Sequence, residues 1–379
     1  MRVHRRQNKR LFNKDRMMNL FWAALFLLLP VVGQYYVSVR VWQLLPAIPL
    51  LRTSVVVLMA LSFIGFFVAM SGLLDKLPLG LASFIYEVGT SWLVILLYMV
   101  MLFAVLDLGA AVGIIPRSFL KASVLGSISV TLLLTVLFTY AYFHYDNKQR
   151  VELTLASKGK LSHDMTFVMV SDLHLGYHNR RSDLHRWLER IKNERPDAIL
   201  IAGDLIDRTI KPVNEEHSAE EFRRLGIPVF AVLGNHDYYT GVNVDRVFCQ
   251  QAGIQLLQDS VAYFKDIAIV GRDDRTNKRR KSLSRLMEGI DRRKYIIELD
   301  HQPYHLEEAA LNGVDFQLAG HTHYGQVWPI NWITKAVYED AFGPLTKGKT
   351  RYYVSSGLGI WGAKFRIGTQ SEYIVAKIR

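Results

Sequence analysis

Five short stretches in the second half of this 379-residue chain carry side chains of the types that bind divalent metal ions. In chain order they are Asp172-Leu173-His174, Gly203-Asp204, Gly234-Asn235-His236-Asp237, His301 and Gly320-His321-Thr322-His323. Carboxylate oxygens, imidazole nitrogens and an amide carbonyl together suit a pair of divalent ions. The motifs therefore predict metal-assisted hydrolysis.

Each of these stretches follows an apolar run that predicts a β-strand. The runs are Thr166–Val170, Ala198–Ala202, Pro228–Leu233, Tyr295–Leu299 and Asp315–Ala319. Asp183–Asn193 and Glu215–Leu225 are predicted as helices, and Arg351–Ser355 and Glu372–Ile378 as closing strands. In an open α/β sheet, ligands bind beyond the carboxyl ends of the strands. We therefore expect the five stretches to meet at one edge.

Local spacing also suggests how the side chains are aimed. Asp172 and His174 are separated by one residue, as are His321 and His323. If the backbone is extended there, both side chains of a pair point the same way. Glycines at positions 203, 234 and 320 are expected to allow tight turns beside the candidate ligands.

The first half of the chain is far more apolar. Four segments reach the length of about 20 apolar residues that spans a bilayer, namely Met17–Val39, Ser54–Leu74, Leu81–Leu106 and Ala122–Phe143. A cleaved signal peptide would account only for the first. Buried helices of a soluble protein are the alternative, and four such runs in succession argue against it.

The predicted organisation has four parts: a basic N-terminus (1–16), a four-helix transmembrane domain (17–145), a linker (146–164) and an α/β domain (165–379). Cations concentrate before the first span and after the fourth. The positive-inside rule then places both termini in the cytoplasm of a multi-pass protein of the plasma or inner membrane. With one span fewer, the α/β domain would lie on the other side. The single Cys249 is expected to be a small core residue.

The ordered set of motifs resembles the calcineurin-like metallophosphoesterase superfamily over residues 165–379. The resemblance implies an α/β domain with a four-layer αββα sandwich, here preceded by an all-α membrane domain of four transmembrane helices. It also implies two divalent metal ions per site at one edge of the sandwich. Mixed oxygen and nitrogen ligands suit Mn, Fe or Zn.

Residue roles follow from the resemblance, motif by motif. It assigns three ligands to one ion, namely Asp172, His174 and His323. It assigns three to the other ion, namely Asn235, His301 and His321. Asp204 would bridge the two ions. His236 would be catalytic and face the scissile phosphate, and Asp237 would orient His236.

The chain is more narrowly similar to membrane-associated bacterial members of that superfamily. The features are the Gly271-Arg272-Asp273-Asp274 turn, the extension Tyr324-Gly325-Gln326 and the tail Val354–Gly359. Some relatives hydrolyse UDP-2,3-diacylglucosamine in lipid A synthesis. The dedicated soluble enzymes for that step tend to carry arginine where this chain has His236.

Three functions are compatible with these features. The favoured one is membrane-anchored hydrolysis of a phosphodiester or pyrophosphate bond in a phospholipid or another lipid-linked substrate. The second is tethered hydrolysis of a soluble nucleotide or phosphoprotein. The third is a non-catalytic sensor or scaffold, and it ranks last because no ligand or catalytic residue of the motifs is missing.

Several features outside the motifs have simpler interpretations. The basic run Arg275–Lys281 is either a solvated loop or a surface attracted to anionic lipid headgroups. Nucleic acid is not an expected partner, because aromatic and basic residues do not interleave as in nucleic-acid-binding modules. Gln326–Phe342 is expected to dip into the bilayer interface rather than fill the core. Asp207 is expected to support a neighbouring group, and four further histidines are expected at the surface, namely His178, His185, His217 and His305.

Overall fold

The structure is a computed structural model that describes residues 28–379. The predicted N-terminus 1–16 and the start of the predicted span Met17–Val39 lie outside the described residues. The chain divides into two compact units. Of the described residues, one unit holds those up to Leu74 together with Phe84–Leu137, and the other holds Asp75–Ser83 and Phe138–Arg379.

The first part of the chain is helical. Helix α1 is described over residues 28–44, and it is followed by α2 (Pro49–Met70), α3 (Leu79–Ala111) and α4 (Val124–Asp146). Within residues 28–379, three helices are long and apolar enough to cross a membrane, and they are α2, α3 and α4. Three of the four predicted spans thus correspond to such helices, and the first, Met17–Val39, begins outside the described residues.

Helices α2 and α3 approach each other through glycine. A Cβ atom at Gly89 would lie 2.4 Å from the backbone carbon of Gly65, so a larger residue there would force the helices apart. Asp107 on α3 accepts a hydrogen bond from Tyr36 at 2.6 Å and pairs with Arg40 at 2.6 Å. A neighbouring cation therefore balances this carboxylate in the apolar unit.

Two six-stranded sheets form the second unit. The strands of the first are β1 (Gln149–Leu155), β2 (Met165–Val170), β3 (Ala198–Ala202), β4 (Val229–Val232), β5 (Ile254–Leu256) and β12 (Glu372–Ile378). Those of the second are β6 (Ser260–Phe264), β7 (Ile267–Gly271), β8 (Tyr295–Leu299), β9 (Phe316–Ala319), β10 (Gly343–Lys347) and β11 (Thr350–Val354). The spatial orders are β1-β12-β2-β3-β4-β5 and β10-β11-β9-β8-β7-β6.

Strand direction decides where the loops emerge. β2, β3 and β4 run parallel, with Phe167 opposite Ala198 and Ile199 opposite Val229. β8 and β9 also run parallel, with Ile297 opposite Phe316. The carboxyl ends within each sheet therefore lie at one edge.

Buried side chains define the layers. Helices α5 (Arg181–Asn193), α7 (Ala219–Leu225) and α9 (Val242–Ala252) cover one face of the first sheet. Its other face packs against the second sheet through residues such as Phe167, Phe230 and Phe316. Helices α10 (Leu283–Leu286) and α11 (Glu307–Leu311) cover the outer face of the second sheet. The predicted mixed α/β class with two sheets is confirmed.

Some elements differ from the predictions. The predicted helix Glu215–Leu225 is two helices, α6 (Lys211–Glu215) and α7, because the backbone turns at His217, whose φ is 54°. Strand β1 lies within the stretch 146–164 that was expected to be a linker. Two short helices complete the unit, namely α8 (Asn235–Thr240) and α12 (Ile330–Val337).

Candidate metal centre

The seven predicted metal ligands follow the carboxyl ends of five strands. Asp172 and His174 follow β2, Asp204 follows β3, Asn235 follows β4, His301 follows β8, and His321 and His323 follow β9. Three of the strands belong to the first sheet and two to the second. Both sheets therefore contribute to one candidate site.

Ligand atoms within this site form three overlapping groups, each with its atoms within 4.8 Å of one another. The groups are Asp172 with His174 and His323, then His174 with Asp204 and His236, and finally Asp204 with His301 and His321. Asp204 belongs to two groups, and its Oδ2 lies 3.6 Å from His174 Nε2 and 3.2 Å from His301 Nε2. Its position therefore fits a carboxylate that serves both halves of the centre.

The protonated nitrogen of each histidine ring determines which of its atoms can bind a cation. His301 Nδ1 lies 2.7 Å from the carbonyl oxygen of Ala202, which can only accept, so Nδ1 carries the proton. Nε2 lies 3.2 Å from Asp204 Oδ2. Burial opposes a charge on the ring, but Asp204 raises the pKa of His301 well above its usual value, so a cation that binds Nε2 must displace a proton. His174 Nε2 and His323 Nε2 face each other at 3.0 Å. Electron-rich atoms that converge in this way fit divalent cations.

The side chain of Asn235 adds an oxygen of the same kind. Its Oδ1 is buried and has no hydrogen-bond partner among residues 28–379. A buried carbonyl oxygen without a partner is unfavourable unless a ligand occupies it. The predicted place of Asn235 in the ligand set therefore fits its surroundings.

Burial and neighbouring charges set the protonation states of several candidate ligands. Burial opposes the charge on Asp172 and Asp204, but neighbouring histidines hold the pKa of each carboxyl below its usual range. Burial and the charge of His301 lower the pKa of His321 to about 4, and burial lowers the pKa of His323 to about 3. These two rings are therefore neutral at pH 7, as metal ligation requires.

His174 behaves differently. Burial opposes its protonation, but hydrogen bonding to Asp172 and Asp207 raises the pKa of His174 to about 10. A cation that binds this ring must displace its proton, so metal binding there is coupled to proton release.

The backbone at the candidate ligands is left-handed rather than extended. Five residues have positive φ, with Asp172 at 56°, His174 at 46°, Asp204 at 53°, His321 at 72° and His323 at 46°. The condition of an extended backbone, on which the shared direction of the side chains in each ligand pair depends, is therefore not met. Each such conformation costs on the order of 1–3 kcal/mol, and it is retained where surrounding contacts enforce it.

Glycines allow the ligand side chains to pack against the backbone. A Cβ at Gly234 would lie 2.1 Å from Asp204 Oδ1, and one at Gly320 would lie 2.4 Å from Asp172 Oδ2. Gly203 has φ of 84°, and a Cβ there would also lie 2.6 Å from His301 Nδ1. The main requirement at positions 234 and 320 is thus close approach rather than the expected turn conformation.

His236 lies beside the ligands and is held by Asp207. Its Nδ1 is 2.8 Å from Asp207 Oδ1, and its backbone N–H donates to Asp204 Oδ1 at 2.8 Å. The His236 ring is 4.6 Å from the His174 ring, measured between centroids. With Nδ1 engaged, Nε2 is the atom left for contact with a substrate.

Asp237 does not orient His236, and this part of the prediction is corrected. Its carboxylate accepts hydrogen bonds from four backbone N–H groups, those of Asp204, Leu205, Ile206 and Gly234, at 2.7 to 3.1 Å. Asp237 thereby joins the loop after β3 to the start of α8. The carboxylate that orients His236 is Asp207, for which a supporting role was expected.

Some residues that support the candidate ligands were not predicted from the sequence. Ser171 Oγ donates to Asp172 Oδ2. Asn179 Nδ2 donates to the carbonyl oxygen of Leu173 at 3.0 Å, between two candidate ligands. Arg366 is fully buried and donates to the carbonyl oxygen of His323 at 2.5 Å. Neither Asn179 nor Arg366 belongs to a metal-binding pattern, so no sequence signal pointed to them.

The four further histidines differ in burial. His178 is buried, contrary to the surface position expected for it, while His185, His217 and His305 are exposed.

Comparisons with known proteins point to one family. The calcineurin-like phosphoesterase family model matches residues 165–325. An uncharacterized metallophosphoesterase of Aquifex aeolicus is 30% identical over 248 residues, which cover 63% of this chain and 93% of that protein. One of Campylobacter jejuni is 31% identical over 225 residues, covering 58% of this chain and 60% of that protein. This chain therefore spans less than two thirds of the Campylobacter protein.

A further relative extends the match into the apolar half. A transmembrane protein with metallophosphoesterase domain from Danio rerio is 28% identical over 382 residues, covering 90% of this chain and 85% of that protein. Together with the apolar helices α2, α3 and α4, this supports association with a membrane.

Proposed function

Since this chain belongs to the calcineurin-like metallophosphoesterase family, and is thus a metal-dependent phosphoesterase, we propose that it hydrolyses a phosphodiester or pyrophosphate bond in a lipid-linked substrate. The assignment of a lipid substrate rests on one observation, an exposed apolar helix beside the candidate metal centre. The predicted class of substrate includes lipids resembling UDP-2,3-diacylglucosamine.

The proposed centre holds two divalent ions of Mn, Fe or Zn. The first ligand group comprises Asp172, His174 and His323. The second comprises Asn235, His301 and His321, and Asp204 serves both groups. When bound, such ions lower the pKa of a water molecule and neutralise charge on phosphate oxygens.

The residues of the chain supply the rest of the chemistry. Hydrolysis joins a water oxygen to phosphorus, breaks the P–O bond to the leaving group and leaves that oxygen needing a proton. His236 is fixed through Nδ1 by Asp207, so its Nε2 can donate a proton or a hydrogen bond to the leaving or phosphate oxygens. Such a contribution is typically worth ~10²–10⁴-fold in rate.

Helix α12 supports a lipid substrate. It begins five residues after the 3₁₀ turn His323–Gly325, and it exposes Trp332 at 61%, Ile333 at 61% and Val337 at 59%. Tyr338, which follows α12, has its ring centroid 6.1 Å from that of His321. Exposed apolar side chains of this kind enter a membrane interface, and here they would do so next to the reacting centre.

We further propose a multi-pass protein whose phosphoesterase unit faces the cytoplasm. The support is the charge distribution around the predicted spans, which follows the positive-inside rule. The bilayer and a phospholipid or lipid-linked phosphate are then the partners. To test the side of the membrane, single cysteines can be introduced at exposed positions such as Arg279. Their reaction with a membrane-impermeant reagent then shows which side the phosphoesterase unit faces.

A paired variant tests the lipid assignment. Replacing Trp332 and Ile333 by Ser should lower hydrolysis of a diacyl phospholipid phosphoester in mixed micelles by at least about tenfold, because each buried apolar side chain contributes roughly 1.5–3 kcal/mol. Hydrolysis of the soluble diester bis(p-nitrophenyl) phosphate should stay unchanged. Leu311→Ser is the matched control, because Leu311 is 83% exposed at the end of α11.

Equal rates of the paired variant and the wild type on both substrates would reject the lipid assignment. A preference of the wild type for soluble nucleotides or phosphoproteins would favour the second function considered above. No turnover of either substrate by metal-loaded protein would point to the scaffold.

A further inference from the structure

The loop after β7 lies between two parts of the candidate centre. Asp273 accepts hydrogen bonds from the hydroxyl of Tyr238 at 2.8 and 2.9 Å, and Tyr238 is two residues from His236 on α8. Asp274 accepts from Gln302 Nε2 at 2.8 and 3.1 Å, and Gln302 is next to His301. The residue that follows, Arg275, is therefore anchored beside the centre.

A row of aromatic rings leads from Arg275 toward a predicted ligand. The guanidinium carbon of Arg275 lies 4.2 Å from the centroid of the Tyr304 ring. The Tyr304 and Tyr338 centroids are 5.0 Å apart, and those of Tyr338 and His321 are 6.1 Å apart. This cation–π contact holds the guanidinium beside the Tyr304 ring.

Arg275 differs from Arg272 and Arg280 in its partners. Arg272 pairs with Asp300 at 3.2 Å and with Glu308 at 2.9 Å, and Arg280 pairs with Asp300 at 3.0 Å. In contrast, Arg275 Nη1 is buried and has no hydrogen-bond partner within the described chain. A buried cationic donor without a partner is unfavourable, so this nitrogen is suited to an anionic ligand.

We propose that Arg275, held beside the Tyr304 ring, binds a second phosphate of the substrate, adjacent to the phosphate held at the metal centre. The planar fork of a guanidinium matches two phosphate oxygens at once. This inference rests on the proposed function and narrows it, because a second phosphate next to the scissile one defines a pyrophosphate rather than a simple phosphodiester.

A bilayer surface is a poorer match for this side chain. The same loop exposes Lys278 and Arg279 to solvent, whereas Arg275 is only partly exposed and its guanidinium carbon lies over the Tyr304 ring. Headgroup attraction acts on exposed cations and needs no fixed geometry.

Binding measurements on the full, metal-loaded protein in detergent test this assignment without requiring turnover. The probes are methylenediphosphonate, which carries two phosphoryl groups, and methylphosphonate, which carries one. Arg275→Ala should weaken the calorimetric affinity for methylenediphosphonate by about 10–150-fold, the range for a charged hydrogen bond. Affinity for methylphosphonate should change by less than about threefold in the same variant.

Two further variants keep the result interpretable. Arg275→Lys retains the charge but loses the fork, so it should recover only part of the affinity for the diphosphonate. Arg279→Ala removes the same charge from an exposed position and should bind both probes like the wild type. Metal content and thermal unfolding of each variant confirm that the centre and the fold persist.

The outcomes separate this inference from the proposed function. Unchanged diphosphonate affinity in Arg275→Ala overturns the inference, as does an equal loss for both probes or an equal effect of Arg279→Ala. If the wild type hydrolyses no lipid-linked substrate but its binding of diphosphonate still depends on Arg275, only the lipid assignment is rejected.

Discussion

The two halves of the candidate metal centre differ in exposure. Asp172, His174 and His323 are all buried, and they form what we call the inner group. The outer group comprises Asn235, His301 and His321, of which Asn235 and His321 are partly exposed, and Asp204 serves both groups. A substrate phosphate can therefore approach the outer group more readily, on the side where Tyr338 and Arg275 lie.

The two groups also differ in what supports them. In the outer group, a strand carbonyl fixes His301 directly, through Ala202. The inner group depends on side chains from farther along the chain. Asn179 holds the carbonyl oxygen of Leu173, and Tyr145 at the end of α4 donates to Asn179 Oδ1 at 2.7 Å. The last turn of a candidate membrane helix is thus part of the support of the inner group, and not only a tether.

The largest expected effect comes from removing the carboxylate that both groups share. Asp204→Asn should lower phosphoesterase activity by at least about 10³-fold, because it removes the negative charge at the junction of the groups. Metal content, measured by mass spectrometry, should fall in both groups. Asp245→Asn is the matched control, since this buried aspartate lies outside the centre. The variant protein should retain the metals of both groups. A variant at Asp204 that keeps full metal content and activity would show that the groups are independent.

The sequence predicted much of this centre because strand ends and ligand types recur together. Strands β3, β8 and β12 were predicted to the residue, since their buried apolar runs are bounded by polar residues. The five motifs were located at the ends of such strands, and the resemblance to the superfamily assigned the seven candidate ligands within them. Their left-handed backbone was not predicted, because it is imposed by contacts between loops of different strands, such as the hydrogen bond from His174 N to Asp204 O.

Other features had no local signal. The short strands β5 and β10 have few residues in which to show an alternating pattern, and β1 pairs with β12 from far along the chain. Asp237 was assigned to its neighbour His236 by adjacency, yet its carboxylate turns toward backbone N–H groups. Contacts between residues remote in sequence decide such cases, and a single sequence does not reveal them.

The next effect distinguishes chemistry from metal binding at His236, which lies beside His174 of the inner group. His236→Ala should reduce kcat by about 10²–10⁴-fold while both groups keep their metals. Asp207→Asn should reduce it less, by about 10–100-fold, because His236 would remain but lose its orienting carboxylate. Turnover at several pH values and metal analysis of both variants provide the check. Loss of metal in His236→Ala would make this histidine a ligand instead.

A smaller and more selective effect is expected from the support of the inner group. Asn179→Ala should weaken binding at that group by about 10–100-fold, the usual effect of removing a group that holds a ligand. Affinity at the outer group should stay near that of the wild type, so a metal titration followed by calorimetry should separate into two phases. Equal weakening of both phases would contradict the division into an inner and an outer group.

The smallest effect tests the contribution of α4 itself. Tyr145→Phe removes only the hydroxyl that donates to Asn179, and the net value of such a hydrogen bond is about 0.5–1.5 kcal/mol. The inner group should then bind its metal about two- to tenfold more weakly, in the same phase that Asn179→Ala affects. Tyr142→Phe, with an exposed side chain one turn earlier, should leave both phases unchanged. If Tyr145→Phe and Asn179→Ala are combined, their effects should be less than additive, because both changes act on one chain of hydrogen bonds. Fully additive losses would mean that Tyr145 supports the fold elsewhere and that the last turn of α4 does not act on the inner group through Asn179.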